Sequence, residues 1–269
     1  MIALSKEQIE TFNRDGYVVI DTGISESVID GVVSDLSEYW GEDRKIPQNV
    51  SYADNGRIQD AWKISANCKI LATYPDILQV LESLYQRKVY PFQTLNFYKG
   101  TEQAVHTDTI HFNSEPFGVM CGVWIALEDI GPEQGALIYY PGSQKLPEIN
   151  FEDAGLEPNY DNYPEYEVYL QKLIDEKGLK PEYGILKKGQ ALIWAANLLH
   201  GGSKQKNKEL TRKSQVTHYY FEGSRYWRPG YSKNRRAYFE PAWIPYKGSN
   251  RNVSKFKKLK AALLNRIFK

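Results

Sequence analysis

The stretch GQALIWAANLLHGG, residues 189–202, gives the strongest indication of the architecture. Its apolar part, residues 190–194, follows a glycine and ends in an aromatic residue, which is typical of a buried strand. The remainder predicts a turn and then a second short strand that carries His200 in front of two glycines. The stretch is therefore predicted to form a strand–turn–strand unit with a histidine on its second strand.

The same type of pattern recurs on both sides of this unit. Runs rich in β-branched and aromatic residues predict further strands, several of them bounded by glycine or proline, and apolar residues at helical spacing predict helices mainly in the first third. The predicted strands are 17–20, 90–98, 118–127, 135–140 and 214–221, and the predicted helices are 4–14, 25–40 and 75–85. Residues 41–60 are polar and predict a loop. This pattern predicts a mainly β fold, a sandwich or barrel with helical cladding.

Length and composition limit the class of protein. A chain of 269 residues, 42% of them hydrophobic, can form one large domain or two small ones. No internal repeat or linker divides it, so a single domain over residues 1–269 is the simplest interpretation. The 34 basic and 33 acidic residues nearly cancel, which gives no reason to expect a nucleic acid partner.

The two cysteines, Cys68 and Cys121, are too few for a disulfide framework or a four-cysteine metal site. No stretch is long and apolar enough to predict a transmembrane segment or the core of a signal peptide. A cytoplasmic protein is expected on these grounds, and its oligomeric state stays open.

Two segments differ from the rest in charge. Residues 146–184 contain ten acids and three lysines, a net charge of −7, together with several tyrosines. They predict an inserted flap, helical over 166–177, which is either a solvated excursion or a lid whose tyrosines stack on a sugar, ring or cationic substrate. Such an acidic lid is expected to disfavour acyl-CoA. Residues 253–269 predict a basic amphipathic helix, which either docks on the protein or makes weak contact with an anionic membrane surface.

The histidines suggest a metal site. His106 and Asp108 are two residues apart, so a strand would direct both side chains to one face. Together with His200 they supply two imidazoles and one carboxylate, the facial triad of non-haem iron(II) oxygenases. With one anionic ligand the site stays positive, which favours a bidentate anionic co-substrate. His111 is expected to be hydrogen-bonded near the barrel mouth, and His218 to be a core histidine.

Arg212 strengthens this interpretation. It lies twelve residues after His200, immediately before the apolar run SQVTHYYF. An arginine there can pair through two hydrogen bonds with the far carboxylate of a dicarboxylic acid, although a surface arginine at a strand start is the ordinary alternative.

Several segments in the same order resemble the phytanoyl-CoA dioxygenase family of iron(II)- and 2-oxoglutarate-dependent oxygenases. The resemblance extends from about residue 4 to residue 221. It is carried by LSKEQIETFNRDGYVVI, RIQDAW, YPDILQVLESL, HTD, GVWIALEDIGPEQGALIYYPGSQK, ALIWAANLLHGGS and TRKSQVTHYYF. It implies a double-stranded β-helix, the jelly-roll (cupin-like) core.

The resemblance also implies roles for individual residues. His106, Asp108 and His200 match the Fe(2+) ligands, and Arg212 matches the arginine that holds the distal carboxylate of 2-oxoglutarate. Gly202 stands where some members carry a hydroxyl residue.

Three further positions are implied in the pocket. Trp124 matches a tryptophan that lines the co-substrate pocket, and Arg57 lies where some relatives have a lysine that helps to bind the co-substrate. Gln93 is a plausible polar residue of the wall.

The implied reaction is hydroxylation of a small molecule by O2, with release of succinate and CO2. Halogenating relatives lack the carboxylate, so Asp108 disfavours halogenation. Two alternatives stay open. One is an oxygen-independent metal-binding jelly roll, an isomerase, lyase or binding module. The other is an oxygenase of the same fold that gives desaturation, epoxidation or cyclisation.

Overall fold

The computed structural model describes residues 2–41, 44–52, 56–249 and 251. The helix predicted at 253–269, with its docking or membrane contact, lies outside the described residues. The α-helices are α1 (Lys6–Asp15), α2 (Glu26–Leu36), α3 (Ala66–Ala72), α4 (Pro75–Tyr85) and α5 (Tyr163–Lys177). The strands are β1 (Tyr17–Asp21), β2 (Ser51–Tyr52), β3 (Ile58–Gln59), β4 (Val89–Phe97), β5 (Asn113–Glu115), β6 (Met120–Ala126), β7 (Leu137–Tyr139), β8 (Glu182–Tyr183), β9 (Gln190–Ala195), β10 (His200–Gly202), β11 (Ser214–Phe221) and β12 (Arg225–Trp227). No helix in these ranges is long and apolar enough to cross a membrane.

The strands form antiparallel sheets. The main sheet has the order β1-β9-β6-β11-β4-β3-β2, and a smaller sheet has the order β10-β7-β8. The β5 and β12 strands pair separately. The predicted mainly β fold, a double-stranded β-helix with helical cladding, is confirmed.

The main sheet is buried on both faces, and the alternation of side chains separates the two cores. On β6, Cys121, Val123 and Ile125 pack in the cluster that includes residues of α1 to α4. Trp124 and Ala126 point to the other face and pack with side chains of the smaller sheet. Helices therefore cover one face of the main sheet, while the other face lines the interior of the barrel.

The helix boundaries follow local chemistry. Ser5 caps α1, and the side-chain oxygen of Gln8 accepts a hydrogen bond from the backbone N–H of Ser5, so the predicted capping box is present. The helix predicted at 25–40 ends earlier, at Leu36, and continues as a 3-10 turn over Ser37–Tyr39. The α3 helix, which Ser65 caps, was not predicted. Residues 41–60, predicted as a loop, contain the short strands β2 and β3.

The acidic segment 146–184 is folded against the barrel. Its helix begins at Tyr163, three residues earlier than predicted, after a 3-10 turn over Tyr160–Asn162. Tyr166, Leu170 and Ile174 are buried and pack in a cluster that also contains barrel residues. This packing brings the beginning of α5 towards the barrel mouth.

Candidate metal centre and its cavity

The β9 and β10 strands supply the first ligand. The predicted strand, turn and second short strand are all present between Gln190 and Gly202. The β9 strand lies between β1 and β6 in the main sheet, whereas β10 begins with His200 and pairs with β7. The turn therefore carries the chain from one sheet to the other and leaves His200 inside the barrel, where its side chain is buried.

His106 and Asp108 reach the same place by a different backbone path. His106 forms an isolated bridge with His200, in which each backbone N–H donates to the other carbonyl at 2.8 and 2.9 Å. Asp108 begins a 3-10 turn that extends to Ile110. The prediction that both side chains project from one strand is therefore wrong, because the chain leaves the extended conformation after Thr107. The turn nonetheless brings the carboxylate beside the imidazoles.

The three side chains form a compact set of donor atoms. One ligand atom from each of His106, Asp108 and His200 lies within 4.8 Å of the others, and all three residues are buried. Nδ1 of His106 lies 3.0 Å from the carbonyl oxygen of Ala104, and Nδ1 of His200 lies 2.9 Å from that of Leu198. A carbonyl oxygen only accepts, so Nδ1 carries a proton in both rings. This arrangement leaves Nε2 as the nitrogen that can bind a metal ion.

Protonation states also suit a metal ion. Burial and the neighbouring His200 lower the pKa of His106 to about 3, so this imidazole is neutral near pH 7. Burial alone would raise the pKa of Asp108, but the neighbouring imidazoles and a hydrogen bond from Trp194 outweigh it, and the pKa is lowered. Two imidazoles and one carboxylate fit iron(II) and leave positions for other ligands.

Trp194 holds the carboxylate, a role that was not predicted. Its Nε1 donates to Oδ2 of Asp108 at 2.8 Å. The indole lies directly over Gly122 on β6, where a Cβ atom would come within 2.3 Å of the ring. A glycine opposite a tryptophan on paired strands was the available signal, since Gly122 and Trp194 are register partners.

The triad opens into a cavity of about 410 Å³. Arg212 lies in its wall, buried, with its guanidinium carbon 5.4 Å from the ring centres of both Phe97 and Trp124. One nitrogen donates to the carbonyl of Gly135 at 3.1 Å, whereas the buried Nε has no partner. Burial lowers the pKa of Arg212 to about 10, so it remains a cation near pH 7. A buried cation with an unused donor fits the carboxylate of a co-substrate such as 2-oxoglutarate.

The remaining predicted pocket residues also lie in the cavity wall. Arg57 is partly buried there, and burial lowers its pKa. Gln93 is buried in the wall, and its Oε1 lies 2.9 Å from Nδ1 of His218. His218 is buried and hydrogen-bonded, as expected for a core histidine. It also faces the cavity, with Nε2 at 3.6 Å from Oδ2 of Asp108.

The other end of the cavity is aromatic. His111 has its Nε2 3.2 Å from the hydroxyl of Tyr163, which agrees with the expected hydrogen bond near the mouth. Its ring stacks on Tyr160 at 5.7 Å. Phe112, Tyr231 and Arg228 complete this end, and none of these three was predicted.

Of the acidic segment 146–184, only Tyr160 is among the described residues that line the cavity. The acids of this segment thus do not reach the site, and the predicted repulsion of acyl-CoA gains no support inside the cavity. Position 202, where some family members carry a hydroxyl residue, has no room for a side chain. A Cβ atom at Gly202 would lie 2.9 Å from the backbone nitrogen of Glu102.

Comparisons with known proteins agree with this geometry. The family model for phytanoyl-CoA dioxygenase (PhyH) matches residues 12–214. The ectoine dioxygenase of Nocardia farcinica (strain IFM 10152) is 25% identical over 222 residues, which cover 73% of this chain and 72% of that protein.

Two solved structures share the fold. EctD from S. alaskensis with 2-oxoglutarate and 5-hydroxyectoine has a TM-score of 0.66 at 17% identity, with 92% of this chain and 86% of that chain covered. The epimerase SnoN in complex with Fe3+, alpha ketoglutarate and nogalamycin RO has a TM-score of 0.63 at 19% identity, with 92% and 91% covered.

Proposed function

The chain belongs to the phytanoyl-CoA dioxygenase family of iron(II)- and 2-oxoglutarate-dependent oxygenases, and from this we propose that it hydroxylates an unactivated C–H bond of a small-molecule metabolite with release of succinate and CO2. The observation that carries the proposal is one cavity that contains both a buried His-Asp-His triad and Arg212, a buried cation with an unused donor. An oxygen-independent jelly roll has no need of such an arginine.

His106, Asp108 and His200 would hold the iron. The Nδ1 atoms of the two imidazoles donate to backbone carbonyls, and Trp194 donates to the carboxylate of Asp108, so all three ligands are oriented before a metal ion binds. When bound, iron and 2-oxoglutarate together supply the oxidising power that activates O2 and removes hydrogen from a substrate carbon.

Arg212 would hold the distal carboxylate of 2-oxoglutarate. The Phe97 and Trp124 rings flank its guanidinium and exclude water, which strengthens a charge-assisted hydrogen bond. Arg57 and Gln93, further along the wall, would orient the co-substrate.

The residues at the aromatic end would bind the substrate. A cavity of about 410 Å³ lies near the lower limit for small-molecule sites, roughly 300–1,000 Å³, and the co-substrate shares it. A small substrate therefore fits this chain best. We also propose that residues 1–269 act as one domain, in which the segment 146–184 closes the substrate end through Tyr160.

An anaerobic titration tests the site and the co-substrate. Metal-free protein would be mixed with iron(II) and 2-oxoglutarate, and the visible charge-transfer band of their complex would be recorded. We expect the band in the wild type, its loss in His106→Ala and a weaker affinity for 2-oxoglutarate in Arg212→Ala. Arg14→Ala, which changes an exposed arginine paired with Asp15, is the matched control and should behave as the wild type.

If iron binds but no band appears, 2-oxoglutarate does not bind the metal, and the oxygen-independent alternative is favoured. Once a substrate is found, mass spectrometry and NMR of the product distinguish the reaction outcomes. A gain of one oxygen atom as a hydroxyl group supports hydroxylation. The same gain as an epoxide contradicts it, and a loss of two hydrogens contradicts it in favour of desaturation or cyclisation.

A further inference from the structure

Arg228 lines the cavity but has no acidic partner, unlike three of the arginines near it in the chain. Arg225 and Arg236 both pair with Glu115, at 2.6 and 3.1 Å. Arg251 pairs with Glu240 at 3.3 Å. Within the described part of the chain Arg228 has no ion pair, and its buried Nε has no hydrogen-bond partner. A buried N–H donor without a partner costs free energy unless a ligand group occupies the adjacent space.

The adjacent space is the cavity of the metal centre. Arg228 is one of its lining residues, at the aromatic end. Its guanidinium carbon lies 5.5 Å from the ring centre of Phe112 and 4.6 Å from that of Phe239. Phe112 also contacts His218, whose Nε2 lies 3.6 Å from Asp108. The arginine therefore lies one aromatic ring away from the side chains around the triad.

The backbone holds Arg228 in place before any ligand binds. Its N–H donates to the carbonyl of Ala237 at 3.1 Å, and its carbonyl accepts from the hydroxyl of Ser232 at 2.7 Å. The chain then turns through Gly230, where a Cβ atom would come within 2.5 Å of the ring of Tyr160. Glycine at this position lets Tyr160 and Tyr231 meet edge to face at 5.1 Å and form a wall beside the arginine.

The charges that line the cavity are positive in excess. Arg57, Arg212, Arg228 and a divalent metal ion against Asp108 alone give four positive charges. The dianionic 2-oxoglutarate neutralises two of them, and two remain. A cationic substrate, which the tyrosines alone had allowed, would increase this excess, whereas an anionic substrate reduces it.

We propose that Arg228 binds a carboxylate on the substrate, so that this oxygenase acts on small carboxylic acids whose hydrocarbon body lies against Phe112, Tyr160 and Tyr231. The inference rests on the proposed function and specifies its substrate class. The guanidinium fork pairs with a carboxylate through two hydrogen bonds, and so fixes which carbon atom lies next to the metal centre. Arg212 and Arg228 thereby divide the recognition of co-substrate and substrate between them.

The test compares an acid with its neutral amide. Enzyme loaded anaerobically with iron(II) and saturating 2-oxoglutarate is titrated with cyclohexanecarboxylate and with cyclohexanecarboxamide, and binding is measured by isothermal titration calorimetry. We expect the acid to bind at least about tenfold more tightly than the amide, as for a charge-assisted pair. Equal binding of the two probes by the wild type would overturn the proposal without any variant.

Variants of Arg228 test whether this residue causes the preference for the acid over the amide. Arg228→Gln should remove the preference for the acid and leave the affinity for 2-oxoglutarate unchanged, and Arg228→Lys should retain part of the preference. Arg236→Gln is the matched control, because Arg236 also lies over an aromatic ring, that of Trp227 at 4.9 Å, but pairs with Glu115 outside the cavity. It should keep the full preference.

Two results in the variants would contradict the assignment. A preference that persists in Arg228→Gln would place the carboxylate elsewhere, and a weaker affinity for 2-oxoglutarate would make Arg228 a co-substrate residue. Failure of the proposed function is a separate result, because it abolishes the charge-transfer band of the wild type, whatever the ratio of acid to amide binding.

Discussion

The two segments that supply the metal ligands are held in different ways. His200 follows β9, which is paired on both sides in the main sheet, and it begins β10, which pairs with β7. His106 and Asp108 lie in a stretch with a single bridge and one 3-10 turn. The first segment is thus positioned by regular sheet hydrogen bonds, and the second has almost none of its own.

The regular segment holds the irregular one. The backbone of His106 exchanges two hydrogen bonds with His200, and the N–H of Thr109 donates to the carbonyl of Ala196 at 3.3 Å. Trp194 on β9 holds the carboxylate of Asp108. These four hydrogen bonds of residues 106–109 are all made with residues 194–200, so a strand–turn–strand unit acts as the template on which the rest of the triad assembles.

Gly201→Ala should break this template and have the largest effect. A Cβ atom at Gly201 would lie 2.8 Å from the carbonyl oxygen of Gln103, which is backbone and cannot rotate away. The segment that carries His106 must then shift. Because a ligand itself moves, we expect iron affinity to fall by more than the roughly 100-fold that follows loss of one hydrogen-bond partner of a ligand. Overpacking should also lower the free energy of unfolding by about 1–3 kcal/mol. Metal titration and urea denaturation would measure the two effects.

Gly131→Ala is the control for this change, because a Cβ atom there would meet only the side-chain oxygen of Gln134, at an ordinary 3.5 Å. Iron affinity close to that of the wild type in Gly201→Ala would show that residues 103–108 hold their position without the β10 contact.

The same contrast explains what could be predicted from the sequence. The central strands of the main sheet are runs of β-branched and aromatic residues that are buried on both faces, and the predicted 214–221 strand has the observed bounds. The conformation at His106 and Asp108 depends on Ala196 and His200, about ninety residues away, so no local pattern reveals it. The residue types and their order still identified the triad, because the choice of ligands is a matter of chemistry and not of local conformation.

Arg212 and Arg228 differ in the same way in how far the sequence reveals them. Arg212 was predicted because it stands at a fixed place before β11. Arg228 was not predicted, because what distinguishes it is an unpartnered donor. A sequence shows which charged residues exist but not which of them are paired. Tyr160 was predicted only as one of several tyrosines of a possible lid, because the segment that carries it also has the composition of a solvated excursion.

Trp194→Phe tests a single contact between the two segments and should have a smaller effect on iron affinity than Gly201→Ala. The ring stays in place, but the hydrogen bond to Oδ2 of Asp108 is lost. We expect iron affinity to fall roughly 10–100-fold, the usual consequence of removing a partner of a metal ligand, while the fold is retained. Trp62→Phe is the matched control, because it removes an indole hydrogen bond to Asp60, at 3.3 Å, outside the cavity. Unchanged iron affinity in Trp194→Phe would mean that the 3-10 turn alone orients the carboxylate.

The smallest effect concerns the protonation of His106 in the metal-free protein. The pKa of His106 is lowered to about 3, chiefly by burial, from an ordinary value of 6.5. As the pH falls from 6.5 towards 3, the unfolded chain takes up a proton at this position that the native protein does not. Protonation at this position therefore does not affect the free energy of unfolding above pH 6.5. Below pH 6.5 it lowers that free energy by at most about 1.4 kcal/mol per pH unit.

Urea denaturation at pH 7, 6, 5 and 4 would compare the wild type with His106→Gln. Groups that titrate equally in both proteins cancel. The free energy of unfolding of the wild type should therefore fall more steeply with decreasing pH, by up to the slope that corresponds to one proton. Thr101→Ser, a cavity residue without a titratable group, should follow the wild type. Equal slopes in the wild type and His106→Gln would mean that His106 is open to water when no metal is bound. In that case only the β9–β10 segment would be preformed, and the irregular segment would join it when the metal binds.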